Sequence, residues 1–331
     1  AGLWDGPTKR QLIQLQAAKM AVFAPQNEFA LQEEYNDVIA GWMMPDEPDN
    51  AQYQAGGGLG PPVSADYLLQ LYQEMKRRDP SRPILLNLGQ GVAWDHWHGR
   101  GTRTNHPEDY EDYVRAADIL SFDIYPITHP DSTIRGRLDY VARGVDRLIG
   151  WSGGTKPVWS VIEASRVSNP GIQPTGDQVR NLVWLSIIHG AEGIIYFVHE
   201  FAPEFVEASL LDNTPLRDAV ITINQRLQDL AGVLKSESLP DVVKIEPVIK
   251  PYNNVAALVK QDKCHLYIFA GSVSKFPTEV EFSISKEDVT NQIDVLDEQR
   301  NLPHERGVFR DFFGPYAVHL YKVVKEKAAC K

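Results

Sequence analysis

Cysteine is scarce in this sequence, and long apolar runs are missing from it. The two cysteines, Cys264 and Cys330, form no CxxC pair and do not combine with histidines at the spacing of a zinc site. Whether they form a disulfide is left open by the sequence. No stretch reaches the roughly 18 consecutive apolar residues that a membrane-spanning helix needs. A disulfide-rich scaffold, a zinc-finger module and an integral membrane protein are therefore not expected.

Positive charge is also in deficit. Lys and Arg total 33 against 44 Asp and Glu, which gives a formal net charge of −11 and a sequence pI of about 5.3. Such a surface repels polyanions, so neither nucleic acid nor an anionic membrane surface is expected as a partner. The first residue is Ala and no signal peptide is visible, so we expect a processed or trimmed chain. Nothing in the composition indicates an oligomeric state.

Apolar runs and helical stripes alternate over residues 1–236. A helix, for example, is predicted after Ser64, which can cap it. Nearly continuous apolar strands joined by helices indicate a parallel sheet that is covered on both faces. The predicted strands lie near 1–4, 21–25, 39–45, 84–89, 120–127, 158–163 and 194–201. This pattern predicts an α/β fold, a (β/α)8 TIM barrel that lacks its first βα unit in this chain.

The pattern of predicted secondary structure changes after residue 236. Short strands separated by turns replace the helical stripes over 242–325. Several short strands at close spacing are typical of a small all-β sandwich. We therefore predict two domains, a barrel catalytic domain over 1–236 and a C-terminal β-sandwich domain over 242–325.

Two predicted strands end in glutamates. GWMMPDEPDN, residues 41–50, delivers Glu47, and KPVWSVIEAS, residues 156–165, delivers Glu163. In a barrel, strand ends meet at one face, and positions three strands apart are opposite each other across it. Retaining glycosidases use two carboxyl groups about 5 to 5.5 Å apart, and inverting ones about 6.5 to 9.5 Å. The two glutamates therefore predict a glycosidase centre.

On these two motifs, the chain resembles the large clan of retaining glycoside hydrolases with (β/α)8 barrels. The likeness covers residues 1–236, with GWMMPDEP on the fourth strand and VWSVIEAS on the seventh. It implies that Glu47 is the acid/base and Glu163 the nucleophile, and that Tyr125 hydrogen-bonds the nucleophile. The clan usually has Asn before the acid/base, where this chain has Asp46. A second carboxylate there raises the pKa of its neighbour by like-charge repulsion.

The side chains predicted to bind sugar share positions at strand ends or in the loop after residue 89. They are Asn27, Asp46, Trp94, Trp97, His98, Arg100, Tyr125, His199 and Glu200. His199 and Glu200 stand where the clan favours Trp on its eighth strand. The two tryptophans either stack on sugar rings or pack on each other. Arg100 and Arg103 either read an acidic sugar or pair with nearby acids such as Glu108 and Asp109.

The predicted function is hydrolysis of a poly- or oligosaccharide by a secreted, extracellular or periplasmic enzyme that needs no metal or other cofactor. One alternative is a barrel that binds carbohydrate without catalysis. Another is a metal-dependent hydrolase that uses His96, His98, Asp123 and His199. Besides binding a metal ion or the substrate, Asp123 has a purely structural interpretation, in which it only caps the loop below it.

Overall fold

Six strands form one parallel sheet in the part of the chain that the structure describes. The structure, a computed structural model, describes residues 6–54, 56–167, 169–248, 254–285 and 289–325. The strands are β1 Val22–Ala24, β2 Ile39–Met43, β3 Ile84–Leu88, β4 Ile119–Phe122, β5 Val158–Glu163 and β6 Gly193–Phe197. Their order in the sheet is β1-β2-β3-β4-β5-β6. Neighbours in the sheet are thus neighbours in the sequence, as in a (β/α) barrel; a doubly wound sheet reverses its order.

The α/β barrel type of sheet is therefore confirmed, and several predicted boundaries need correction. The strand predicted at 1–4 lies outside the described residues, so the missing first unit and the count of eight stay predictions. The strand predicted over 120–127 ends at Phe122, and the one over 194–201 ends at Phe197. Tyr125, His199 and Glu200 consequently lie in loops beyond their strands.

Helices follow most of the strands, and their first turns explain where they begin. Thr8, Ser64 and Thr175 each accept a hydrogen bond from the backbone N–H three residues on, which satisfies a donor that the helix cannot pair. The cap at Ser64 was predicted. No helix among the described residues has the length and apolarity needed to cross a bilayer. The helices are α1 Lys9–Ala17, α2 Ala65–Arg78, α3 Tyr110–Tyr113, α4 Asp139–Trp151, α5 Gly176–Ile188, α6 Thr214–Asp229 and α7 Ala231–Leu234.

The chain divides into two compact units. The first comprises Ala1–Ile124, Arg143–Val161 and Glu192–Ile195, and the second comprises Tyr125–Ala142, Ile162–Ala191 and Tyr196–Lys331. Glu47 belongs to the first unit and Glu163 to the second. The domain boundary after residue 236 stays a prediction.

The first unit is held by strands whose side chains are buried almost throughout. Leu86 and Leu120, on β3 and β4, have no exposed surface, as expected for a sheet covered on both faces. On β2, a Cβ at Gly41 would overlap the ring of Phe23, so glycine permits the close approach of that ring. Phe23 in turn meets Trp159 edge to face, with ring centroids 5.2 Å apart.

In the second unit, the described antiparallel strands form a sheet of three strands and a sheet of five. One buried cluster joins side chains of both sheets. At its centre Phe282 stacks on Phe309 at 4.7 Å and meets Tyr321 at 5.3 Å. The predicted β-sandwich is therefore confirmed. Its strands are β7 Val243–Pro247, β8 Val255–Gln261, β9 His265–Ser272, β10 Thr278–Ile284, β11 Val289–Val295, β12 Arg300–Pro303, β13 Val308–Phe313 and β14 Val318–Lys325. Their orders in the two sheets are β13-β10-β7 and β12-β11-β14-β9-β8.

Removing the central ring of the sandwich should destabilise the protein. Phe282→Ala leaves a cavity in a cluster where Phe282 has no exposed surface, so we expect a loss of about 3 to 5 kcal/mol in the free energy of unfolding. Urea denaturation measures it. Phe312→Ala on the adjacent strand is the control, because that ring is 60% exposed and should cost under about 1 kcal/mol. Equal losses would contradict this description of the core.

Candidate active site

Glu47 lies just beyond β2 in an unusual backbone conformation. Its φ of 40° falls in the left-handed region, where a residue other than glycine is strained by about 1 to 3 kcal/mol. Three hydrogen bonds hold it there: its N–H donates to the Asn87 carbonyl at 3.0 Å, its carbonyl accepts from Asn50 N–H at 3.0 Å, and Asn50 Nδ2 donates to its Oε2 at 2.8 Å. Strain held in this way is typical of functional positions.

The side chain of Asn87, on β3, joins the loops at the ends of β2 and β4. Its Nδ2 donates to Asp46 Oδ1 and to Asp123 Oδ1, both at 2.9 Å, and its Oδ1 accepts from Ser121 Oγ at 2.7 Å. One amide therefore fixes two carboxylates. Sequence reasoning missed Asn87, although a lone polar residue within the apolar run ILLNLG was an available signal.

A further carboxylate near Glu47, that of Asp49, has no exposed surface. Its Oδ1 accepts from Gly89 N–H at 2.8 Å and its Oδ2 from the Tyr110 hydroxyl at 2.7 Å. Asp49 was not singled out from the sequence, because DEPDN offers several acids and only the fold shows which of them is enclosed.

The electrostatics of this cluster favour a protonated Glu47. Burial raises the pKa of Glu47 well above its ordinary value, and the charges of Asp123, Asp49 and Asp46 raise it further. The hydrogen bond from Asn50 acts in the opposite direction, because it stabilises the carboxylate. The pKa of Asp46 is also raised, mainly because its carboxyl group is partly desolvated by these neighbours even though the residue is exposed. A half-buried carboxyl group that retains its proton can serve as a general acid.

The aromatic loop after β3 divides into buried and accessible parts. Trp97 is half-buried, and its Nε1 donates to Asn50 Oδ1 at 2.8 Å, so the indole is linked to Glu47 through one amide. Trp94 is only 8% exposed and packs on Trp97 with ring centroids 5.8 Å apart. His98 is exposed and contacts the Trp97 ring at 4.5 Å. Trp97 and His98 thus remain available to a sugar, whereas Trp94 packs within the loop.

Two further residues predicted to bind sugar are engaged within the protein. Arg100 is 1% exposed and donates to Asp109 Oδ2 at 2.8 Å, and Arg103 donates to the same oxygen at 2.9 Å. The pairing of both arginines with nearby acids is therefore observed. Asn27 donates to the Pro7 carbonyl at 2.7 Å and accepts from Ala30 N–H at 2.9 Å, so its amide stabilises the turn after β1.

The histidines of the DHWH segment do not form a metal centre with other described residues. His96 and His98 are both exposed. No three His, Cys, Asp or Glu side chains of the described ranges are grouped so that they could hold an ion.

Glu163 has a different environment, within the second unit. It ends β5 with no exposed surface, and its carboxylate accepts from Ile127 N–H at 2.6 Å, from Thr128 N–H at 3.0 Å and from Thr128 Oγ1 at 2.9 Å. Burial raises its pKa to about 7, although the three donors act to lower it. The predicted hydrogen bond from Tyr125 stays a prediction; the Tyr125 ring packs on Phe197 at 5.0 Å.

The loop after β6 carries the last two predicted sugar ligands. Glu200 is 7% exposed and forms an ion pair with Arg166 at 3.1 Å. His199 accepts a hydrogen bond from Ala208 N–H at Nδ1, at 3.2 Å, and its ring meets Phe205 at 5.8 Å. A cavity of about 440 Å³ adjoins this loop and includes Ala164, the residue after Glu163, in its wall.

Comparison with known proteins gives the fold and nothing finer. No protein-family model and no curated protein matches the sequence. Solved structures do match. AmyP in complex with maltose is 10% identical with a TM-score of 0.50, over 95% of this chain and 78% of that one. An AmyP variant with maltotriose is 11% identical with a TM-score of 0.53, over 96% and 78%.

A third similar structure is the α-amylase of Geobacillus thermoleovorans complexed with acarbose. It is 10% identical with a TM-score of 0.52, over 90% of this chain and 63% of that one. At such identities the likeness establishes a shared architecture. The architecture that the chain shares with these structures is a barrel-type parallel sheet followed by C-terminal antiparallel sheets.

The raised pKa of Glu163 makes the stability of the protein depend on pH. A group whose pKa rises from 4.5 to about 7 on folding stabilises the native state below pH 4.5 and loses that contribution as the pH rises to about 7. Relative to Glu163→Gln, the wild type should therefore lose roughly 3 kcal/mol of unfolding free energy across this window. Urea denaturation at several pH values measures the difference.

Glu204→Gln, which changes an exposed carboxyl group of the same unit, is the control and should show no such window. A stability difference between wild type and Glu163→Gln that stays constant from pH 4.5 to 7 would contradict the predicted shift.

Proposed function

We propose that this protein is a retaining glycoside hydrolase that cleaves a poly- or oligosaccharide, with Glu47 as acid/base and Glu163 as nucleophile. The observation that carries the proposal is the environment of Glu47. At a strand end of a glycosidase-type fold, a strained backbone presents a carboxyl group whose pKa is raised by burial and three neighbouring acids. A raised pKa in such a position is what a general acid needs.

In the proposed first step, protonated Glu47 gives its proton to the glycosidic oxygen while ionised Glu163 attacks the anomeric carbon. The C–O bond to the leaving sugar breaks and a glycosyl ester forms on Glu163. In the second step Glu47, now a carboxylate, takes a proton from water, whose oxygen displaces Glu163. The hydrogen bond from Asn50 stabilises Glu47 in this ionised state.

To act as nucleophile, the carboxyl group of Glu163 must be ionised and must be accessible to the sugar. Its three hydrogen-bond donors stabilise the anion that must attack, and its pKa of about 7 means that this anion forms near neutral pH. Because the carboxyl group has no exposed surface, the segment at Ile127 and Thr128 must release it before a sugar can be reached. The proposal therefore includes a movement of this segment when substrate binds.

Near Glu47, sugar binding is proposed for the accessible groups. These are the carboxyl group of Asp46, which is exposed, and the rings of Trp97 and His98. The similar structures hold maltose, maltotriose and acarbose, so malto-oligosaccharides are the first substrates to screen, together with β-linked series. A polysaccharide substrate also supports the proposal of an extracellular or periplasmic location.

Removing Glu47 should affect substrates according to their leaving group. In Glu47→Ala, kcat/KM should fall about 10²- to 10⁴-fold for natural glycosides, whose leaving oxygen needs a proton, and far less for dinitrophenyl glycosides, which leave without one. Steady-state kinetics on both measures the contrast. The control is Glu34→Ala, an exposed carboxyl group of the same unit that pairs with Lys9 at 3.7 Å. Equal losses on both substrates would contradict the role of acid.

The hydrogen bond from Asn50 should tune the pH profile. Because it lowers the pKa of Glu47, Asn50→Ala should raise that pKa and move the alkaline limb of kcat/KM to higher pH. Trp97→Phe is the matched variant: it removes the indole N–H that holds Asn50 and leaves the bond between Asn50 and Glu47 in place. Its alkaline limb should stay where it is in the wild type. A downward shift in Asn50→Ala would show that another group controls the limb.

A further inference from the structure

A cavity of the second unit is bounded by the segments that follow β5 and β6 and by the start of α6. It encloses about 440 Å³, within the usual range of small-ligand sites, and its wall includes Arg166, Gln173, Glu200 and Asp212. Ala164, which follows the proposed nucleophile in the chain, belongs to the same wall.

The polar side chains of this wall that are available to a ligand include those of Gln173 and Asp212. Gln173 and Asp212 are exposed, and neither side chain makes a hydrogen bond or an ion pair with any residue in the described ranges. Arg166 and Glu200, in contrast, are paired with each other at 3.1 Å. A free amide and a free carboxylate together offer donors and acceptors to the vicinal hydroxyl groups of a sugar.

The charge of the wall distinguishes between classes of ligand. Glu200 neutralises Arg166, and Asp212 adds a negative charge that no described side chain compensates. An anionic ligand such as a uronate would be repelled, whereas a neutral polyhydroxyl ligand would not.

A loop that carries two aromatic rings has both of its end residues, Glu200 and Val206, in the cavity wall. Glu200 and Val206 exchange backbone hydrogen bonds of 3.1 and 2.8 Å, which close the loop between them next to the cavity. This loop carries Phe201 and Phe205, which are 40% and 59% exposed and lie 5.7 Å apart. Large apolar side chains exposed beside a polar cavity are typical of a ligand-binding surface.

We propose that this cavity is a subsite for one neutral sugar residue of the substrate, held by Asp212 and Gln173, and that Phe201 and Phe205 stack on the next residue of the chain. The inference rests on the proposed function and adds its substrate class, a neutral oligosaccharide of at least two residues.

The test measures binding in the Glu47→Gln background, so that no turnover is required. Maltotriose, cellotriose and xylotriose are titrated by calorimetry, with trigalacturonate as the anionic probe. At least one neutral trisaccharide should bind, and trigalacturonate should bind at least tenfold more weakly. Asp212→Ala and Gln173→Ala should each weaken neutral binding by about tenfold. Phe205→Ala should weaken binding of the trisaccharide more than binding of the matching monosaccharide.

Asp218→Ala is the control, because Asp218 lies on α6, is exposed and is absent from the cavity wall. The proposal is overturned if no neutral probe binds, if Asp212→Ala binds as well as Asp218→Ala, or if trigalacturonate binds best. These results are separable from a failure of the proposed function. Loss of hydrolysis in Glu47→Gln with binding indifferent to Asp212 would refute only the subsite, whereas binding that depends on Asp212 with full hydrolysis in Glu47→Gln would refute only the role of Glu47.

Discussion

The hydrogen bonds of Asn87 are the interactions on which the candidate site most depends. The side-chain nitrogen of Asn87 donates to both Asp46 and Asp123, and its backbone carbonyl accepts a hydrogen bond from the N–H of Glu47. Carboxylates brought this close repel each other, and a neutral donor between them is what allows them to remain together. The same residue thus supports the left-handed backbone of Glu47 and the acidic surroundings that keep its proton in place.

The architecture could be predicted from the sequence because it follows from local patterns. Apolar runs separated by helical stripes located β2 to β6, and the loss of the helical stripe located the sandwich. Strand ends were placed too late, as at Phe122 and Phe197, because an apolar residue that continues into a buried loop looks like strand. Motif position also made Glu47 a candidate, but the pattern contains nothing about its positive φ.

The finer chemistry of the site could not be read in this way, because it depends on contacts between residues far apart in the chain. The sequence offered either a sugar or a nearby acid as the partner of Arg100, and only the fold shows that Asp109 engages it. Glu163 was predicted as a nucleophile at a strand end, and only the fold shows it enclosed by Ile127 and Thr128. The hydrogen bonds of the Asn87 amide are likewise contacts between residues far apart in the chain, and the sequence does not reveal them.

Burial raises the pKa of both glutamates, but their neighbours have opposite effects on the stability of the ionised form. Glu47 is surrounded by acids that oppose its ionisation, and Glu163 is surrounded by donors that assist it. A general acid and a nucleophile need this difference.

The most direct test is to determine the anomeric configuration of the first product, which is monitored by proton NMR during hydrolysis of a substrate found by screening. The account predicts retention; an inverted product would contradict the assignment of Glu163 as nucleophile and with it the double displacement.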